Sequence, residues 1–333
     1  MKEQDIPGST DGVRAGVPCR ACLSGEDLDW LGGRSVSVAL DLLTSVEIPP
    51  TGRSANPSPT STGGWPKEVW GFLRERLPGL PASPPTVISQ SDAPAASGLS
   101  SSTALIVALF RAFTDAHGPT ERIADRVLTQ WAYEFEFAVF NGGGMDHIAV
   151  VEGGALLLEG RPTGLPEVRE RAEFPADWSV IVVDSGTVKH TGGHIRTVRA
   201  QLAAQDGDLA AYMAKADQAS QDVWEALGAH DLAALGAAMN RAHEAMRDHQ
   251  RMSTPLLEEL RTRAARTTAL PLKVSGAGGG GALVGVCSAM DTEEVVGALR
   301  RALAVDYPTA RVIPTRAAPG RGESTPPRST EST

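Results

Sequence analysis

At 333 residues the chain is long enough to bury a large core in one or two domains, and its 41% apolar and 21% charged content is ordinary for a water-soluble globular protein. A net charge of −9 argues against a broad nucleic-acid-binding face while leaving room for a local basic pocket. No apolar run approaches the roughly 20 residues that cross a bilayer, and three cysteines suit a reducing compartment.

Residues 1–16 read as a loose arm without the apolar centre of a signal peptide, so the protein is expected in the cytoplasm. Strand signals follow at Cys19–Leu23 and Ser35–Ile48, the second with alternating apolar character. Cys19 and Cys22 form a CxxC, but residues three apart on a strand face opposite sides, which argues against a zinc or redox pair. Thr51–Gly64 is a polar Gly/Ser/Pro/Thr loop, Trp65–Leu77 has helical spacing, and Pro84–Ser89 reads as a strand.

Ser91–Ala104, SDAPAASGLSSSTA, leads into an apolar helical run, Ala104–Phe110. Small residues let backbone approach a ligand, and the first N–H groups of a helix have no partner within it. Such a helix start favours an anion by roughly 0.3–1 kcal/mol. A second helix is predicted over Glu121–Phe137, then strands at Ile148–Leu158 and Trp178–Asp184, with a domain boundary near Pro175. Between His190 and His194 (an HxxxH) lies Thr-Gly-Gly, which argues against a helix there and against a metal pair.

The remainder is richer in helix: Arg196–Leu202, Leu209–Leu227, Leu232–Met246 and Thr254–Arg266. Short strands at Pro271–Ser275 and Ala282–Cys287 flank the glycine run Gly276–Gly281, and an amphipathic helix covers Thr292–Val305. The Pro/Ser/Thr/Arg-rich tail, residues 316–333, is expected to be disordered. Periodicity by itself gives a mixed α/β protein.

Four blocks then occur in order: RACLSGEDLDWLGG from Arg20, the serine loop, YEFEFAVFNGGGMDH from Tyr133, and KVSGAGGGG from Lys273. In this order they resemble the GHMP kinases, the superfamily of galactokinase, homoserine kinase, mevalonate kinase and phosphomevalonate kinase, and among them most closely the galactokinases. The likeness extends over about Val17–Val305. It implies an α+β fold of two lobes with the active site between them: a ribosomal-S5-like lobe at 17–175 and a ferredoxin-like lobe at 176–315, with 1–16 and 316–333 outside both.

The resemblance also implies roles. Asp146 would be the catalytic base or the carboxylate that orients the acceptor hydroxyl, with Arg20 beside it. ATP would be held by Pro94, Ser97, Gly98, Leu99, Ser100, Ser101 and Ser102, with Trp65 on adenine and Gly278 in a glycine run packed against the serine loop. Ser101 and Glu134 would hold Mg²⁺. Glu26, Asp27, Asp29 and Gly143 would grip a sugar. The product would be a sugar 1-phosphate.

Two positions depart from the galactokinase pattern: Asp27 stands where the family has His, and Ile195 where it has a sugar-contacting Tyr. Lys189, His190, His194, Arg196 and Arg199 surround Ile195. That basic cluster points to a longer sugar phosphorylated at its far end, a heptose 7-phosphate or octose 8-phosphate, as for the octose kinase of lincosamide antibiotic biosynthesis. The alternatives are galactose itself, a non-catalytic sugar/ATP sensor, or a non-sugar alcohol such as homoserine or mevalonate. The expected partners are the sugar and ATP, with no nucleic acid and no membrane, on a monomer or homodimer.

Overall fold

The computed structural model describes residues 12–50, 64–140, 142–188 and 191–320. In chain order they form β1 (Val13–Ser24), α1 (Leu28–Leu31), β2 (Arg34–Ile48), α2 (Trp65–Arg76), β3 (Ile88–Ser91), α3 (Ser101–His117), α4 (Asp125–Phe140), α5 (Met145–Glu152), β4 (Ala155–Glu159), β5 (Glu167–Ala172), β6 (Trp178–Asp184), α6 (Thr191–Ala203), α7 (Gly207–Gly228), α8 (Leu232–Gln250), α9 (Pro255–Thr268), β7 (Lys273–Val274), β8 (Ala282–Ser288), α10 (Thr292–Leu303) and β9 (Arg311–Thr315).

Two antiparallel sheets organise this α+β fold. The first runs β1-β2-β4-β5, and β3 shares the β2 edge used by β4: β4 pairs with Arg34–Val38 and β3 with Thr44–Glu47. The second runs β7-β8-β6-β9. Strand β6 is buried along its whole length and alternates faces, as a period of two requires. Val180 and Val182 join the large core that holds Val36, Val38 and Phe110, while Ile181 and Val183 join a second core with Leu260 and Leu299. The break near Pro175 therefore separates two sheets that share one apolar core.

Helix α7 spans both halves. Asp217 on α7 accepts from Arg34 N at 2.7 Å and Arg34 Nε at 3.0 Å, and Tyr212 donates to the Glu26 carbonyl at 2.6 Å. Asp206, Asp231 and Thr254 cap α7, α8 and α9, each side chain accepting a backbone N–H three residues on.

The structure departs from the sequence expectations in several elements. Residues 13–16 already belong to β1 and are not a loose arm. The segment expected as one strand, Ile148–Leu158, is the end of helix α5 followed by β4. Its apolar residues are buried all round, so no periodicity separated helix from strand. The break falls at Gly153-Gly154, both with left-handed backbone (φ 73° and 62°).

Thr191 opens α6 despite its two following glycines. The tail begins later than expected: Asp41 N donates to the Arg316 carbonyl at 2.8 Å and Ala318 N to the Ala39 carbonyl at 2.9 Å, which ties residues 316–318 to the first sheet. Strand β5 was missed because its charged sequence, EVRERA, fits an exposed edge. Residues 51–63 and 321–333 lie outside the described residues.

Cys19 and Cys22 are free and buried in different clusters, on opposite faces of β1. Among the described residues no helix is long and apolar enough to cross a membrane.

Candidate active site

The turn after β1, the serine loop, the C-terminal end of α4, the start of α5, α6 and the glycine run converge on one cavity of about 300 Å³. Its lining includes Arg20, Glu26, Asp27, Asp29, Ser97, Gly98, Ser100–Thr103, Glu136, Gly143, Asp146, His147, Ile195, Gly276 and Ala277.

The serine loop is built from left-handed residues, Ala96 (φ 54°), Gly98 (φ 88°) and Ser100 (φ 58°), which turn the chain so that α3 starts at the cavity. A side chain at Gly98 would collide with the Ser275 carbonyl oxygen, and one at Gly281 would come within 2.6 Å of the Ser97 carbonyl oxygen. The glycine run therefore packs directly on the serine loop, clasped by the bond from Ala282 N to Ser97 O at 2.7 Å. Among the described residues the buried hydroxyls of Ser97 and Ser100 have no hydrogen-bond partner, and Ser100 does not cap α3 with its side chain. Orphaned hydroxyls beside the open N–H groups of a 17-residue helix make a receptor for an anion rich in oxygen acceptors.

Arg20, 2% exposed, is held at both ends of its guanidinium. Its Nε donates to Asp146 Oδ1 at 2.8 Å, Nη2 lies 2.6 Å from the same oxygen, and Nη1 donates to the Gly98 carbonyl at 2.6 Å. Burial works against its charge, but Asp146 together with Cys22 and Glu26 more than offsets that, and its pKa is raised. Asp146 sits in the first turn of α5, where the helix dipole favours a carboxylate. It is thus oriented beside the arginine that bridges it to the serine loop.

The adjoining wall is acidic. Asp29 Oδ2 accepts from Met145 N at 2.9 Å, and Gly143 carries no side chain because a Cβ there would overlap that carboxylate. Burial pushes the Asp29 carboxyl up to about 7, with Asp146 and Asp27 adding to the rise and the Met145 N–H opposing it. Near neutral pH Asp29 can therefore donate as well as accept a hydrogen bond. Glu26 is 2% exposed, and its Oε2 has no partner among the described residues. Asp27 contacts His194 Nε2 at 2.5 Å and accepts from Trp30 Nε1 at 3.3 Å.

Several residues predicted for the site stand elsewhere. Glu134 pairs with Arg76 at 3.0 Å on the outer side of α4; the carboxylate at the cavity is Glu136, which accepts from Thr103 Oγ1 at 3.0 Å and lies 2.9 Å from His147 Nε2. Residues two apart on a helix point about 200° apart, so only one of the pair can face inward. The stripe of buried Leu128 and Ala132 at four-residue spacing, which continues to Glu136, was the signal that could have chosen between them.

Trp65, at the start of α2, packs edge-on against Phe135 with 5.7 Å between ring centroids and does not line the cavity. Pro94 and Leu99 are buried behind the loop, with the Leu99 carbonyl accepting from Arg20 N at 3.0 Å. Gly278 (φ 69°) packs on the Met252 backbone, and it is Gly276 and Ala277 that reach the cavity. Arg196 is exposed and outside the lining, His194 is engaged by Asp27, and Arg199 lies over the Trp30 ring at 4.9 Å. Lys189 and His190 lie outside the described residues. Thr103, Glu136 and His147 were not foreseen.

Residues 66–154 match the GHMP kinases N terminal domain and residues 224–305 the GHMP kinases C terminal domain, together just over half of the chain. A galactokinase of Mycobacterium bovis is 29% identical over 362 aligned residues, covering 93% of this chain and 99% of that protein. The L. major mevalonate kinase in complex with R-mevalonate superposes with a TM-score of 0.75 at 19% identity, over 96% of this chain and 99% of that one. Lactococcus lactis galactokinase complexed with galactose gives 0.73 at 16% identity, over 94% and 95%.

Proposed function

From the premise that this chain belongs to the GHMP kinases, we propose that it is an ATP-dependent sugar kinase that phosphorylates the anomeric hydroxyl. One observation carries the reading. Asp146, bonded to the buried Arg20, shares a single cavity with the open start of α3 and its orphaned serine hydroxyls. Phosphoryl transfer needs a positioned hydroxyl, a group to take or orient its proton, and positive charge near the moving phosphoryl. Asp146 supplies the second and Arg20 the third. The serine loop and α3 hold the nucleotide phosphates through backbone N–H groups and the Ser97 and Ser100 hydroxyls.

For Mg²⁺, Glu136 with the Thr103 hydroxyl is the donor set at the cavity, with Ser102 and Ser101 one and two residues before Thr103. Bound there, the ion would neutralise charge on the phosphate oxygens. Among the described residues no group of three or more His, Cys, Asp or Glu forms a metal cluster. That fits magnesium, which takes few protein ligands and keeps its waters. Glu136→Gln is expected to raise the Mg²⁺ concentration for half-maximal rate by about tenfold or more, as loss of a direct ligand should. Glu134→Gln, on the outer face, should leave it within about twofold. A magnesium titration of both variants decides between the two glutamates.

A polyol suits the acidic wall, because carboxylates accept hydroxyl protons in fixed directions. Arg20 is the only arginine or lysine among the described lining residues. A heptose 7-phosphate or octose 8-phosphate would therefore carry its phosphate past Ile195, along α6 beside the exposed Arg196. The deciding experiment is a panel of free and terminally phosphorylated aldoses, galactose included, read by ADP release and product mass. A sugar 1-phosphate is the expected product. For the longer substrate, turnover should favour the phosphate ester and fall in Arg196→Ala for that ester alone. Turnover of homoserine or mevalonate with silence on every aldose would overturn the sugar reading. ATP binding without ADP release would mark a sensor.

A further inference from the structure

We infer that Lys273, which lines no part of the cavity, is the positioning residue that aims Glu26 at the sugar and couples that carboxylate to the glycine run; the inference rests on the sugar-kinase reading above. Lys273 is fully buried. Its ammonium carries three protons and meets three acceptors: the Val274 carbonyl at 2.7 Å, the Cys22 carbonyl at 3.2 Å, and Glu26 Oε1. The same Oε1 accepts from Gly276 N at 3.2 Å. Tyr212, also fully buried, fixes the Glu26 backbone by donating to its carbonyl at 2.6 Å.

One oxygen of Glu26 is thus saturated, and the other, Oε2, is buried with no hydrogen-bond partner among the described residues, in a side chain that lines the cavity. A buried ion pair built only for stability would spend both oxygens, since an orphaned buried acceptor is costly. A carboxylate held on one side and empty on the other is arranged to receive a hydroxyl. Gly276 ties the arrangement to the nucleotide side, because Ser275 and Gly281 of the same run abut the serine loop. The Lys273 side chain therefore acts through Glu26 and touches neither substrate.

The test is steady-state kinetics of full-length Lys273→Met, Lys273→Arg, Glu26→Gln and the Glu26→Gln/Lys273→Met double variant, with folding checked by thermal melting. Lys273→Met should raise the sugar KM by about 30-fold or more, with ATP KM within about threefold. Lys273→Arg, which keeps a cation and its donors, should recover most of that loss. The double variant should be no worse than Glu26→Gln alone, because the lysine then has no carboxylate to aim. Sugar and ATP KM rising together, or losses that add in the double variant, would overturn the inference.

If Lys273→Met fails to fold, the double variant, which buries no unpaired carboxylate, is read against Glu26→Gln by the same rule. Failure of the sugar-kinase reading would show separately, in the wild type. Crystal structures of wild type and Lys273→Met then decide the inference without turnover: Glu26 should leave its place beside Gly276 N in the variant, and an unmoved Glu26 overturns it.

Discussion

Asp146→Asn is expected to lower kcat by about 10²–10⁴-fold while ATP affinity stays within about threefold. The substitution keeps the shape of the side chain and an oxygen for Arg20, so the guanidinium stays bonded to the Gly98 carbonyl and the serine loop is undisturbed. What disappears is the negative charge and the proton acceptor. Because Asp146 is the carboxylate at which Arg20 and the serine loop meet, neighbouring Asp29 and Glu26 cannot replace it: Asp29 is bound to Met145 N and Glu26 to Lys273. ADP release at saturating sugar, set beside ATP binding by calorimetry, separates lost chemistry from lost binding. An undiminished rate would remove Asp146 from the mechanism.

Gly98→Ala should be among the most damaging single-methyl additions in the protein. Gly98 has φ 88°, a conformation costing a residue with a side chain roughly 1–3 kcal/mol. The new methyl would also overlap the Ser275 carbonyl oxygen, which cannot move away without parting the serine loop from the glycine run. A total loss of about 3 kcal/mol or more is expected, seen as a fall of several degrees in melting temperature. ATP affinity should fall at least tenfold or so, because the loop that would cradle its phosphates is displaced. Gly16→Ala is the control: Gly16 has no heavy atom within 4 Å of an added Cβ and no left-handed backbone, so its effect should stay within about 1 kcal/mol of zero. Equal effects at the two sites would mean that the packing between the two loops carries no load.

Both expectations show how unevenly the site was written in the chain. The serine loop was legible in its own residues as a helix start open to an anion, whereas the packing of the glycine run upon it was legible only through the family resemblance. Arg20 and Asp146 were legible only through the order of four blocks along the chain. Glu136 was not found, because a helix carrying glutamates two apart does not announce which one faces inward. Trp65 and Gly278 belong to the right segments, yet neighbouring residues line the cavity.

Local sequence determined most of the secondary structure, the opposed cysteines of β1 and the anion-receptive start of α3. Periodicity, turn residues and backbone sterics act over a few residues and can be read in place. The tertiary structure alone decided that Val180 and Val182 bind the second sheet into the core of the first, and that residues 316–318 return to β2. It alone seated Lys273 beneath Glu26, 247 positions away. Such pairings depend on which buried charges and carbonyls meet after collapse, and side chains that never neighbour one another in the chain carry no local record of that meeting.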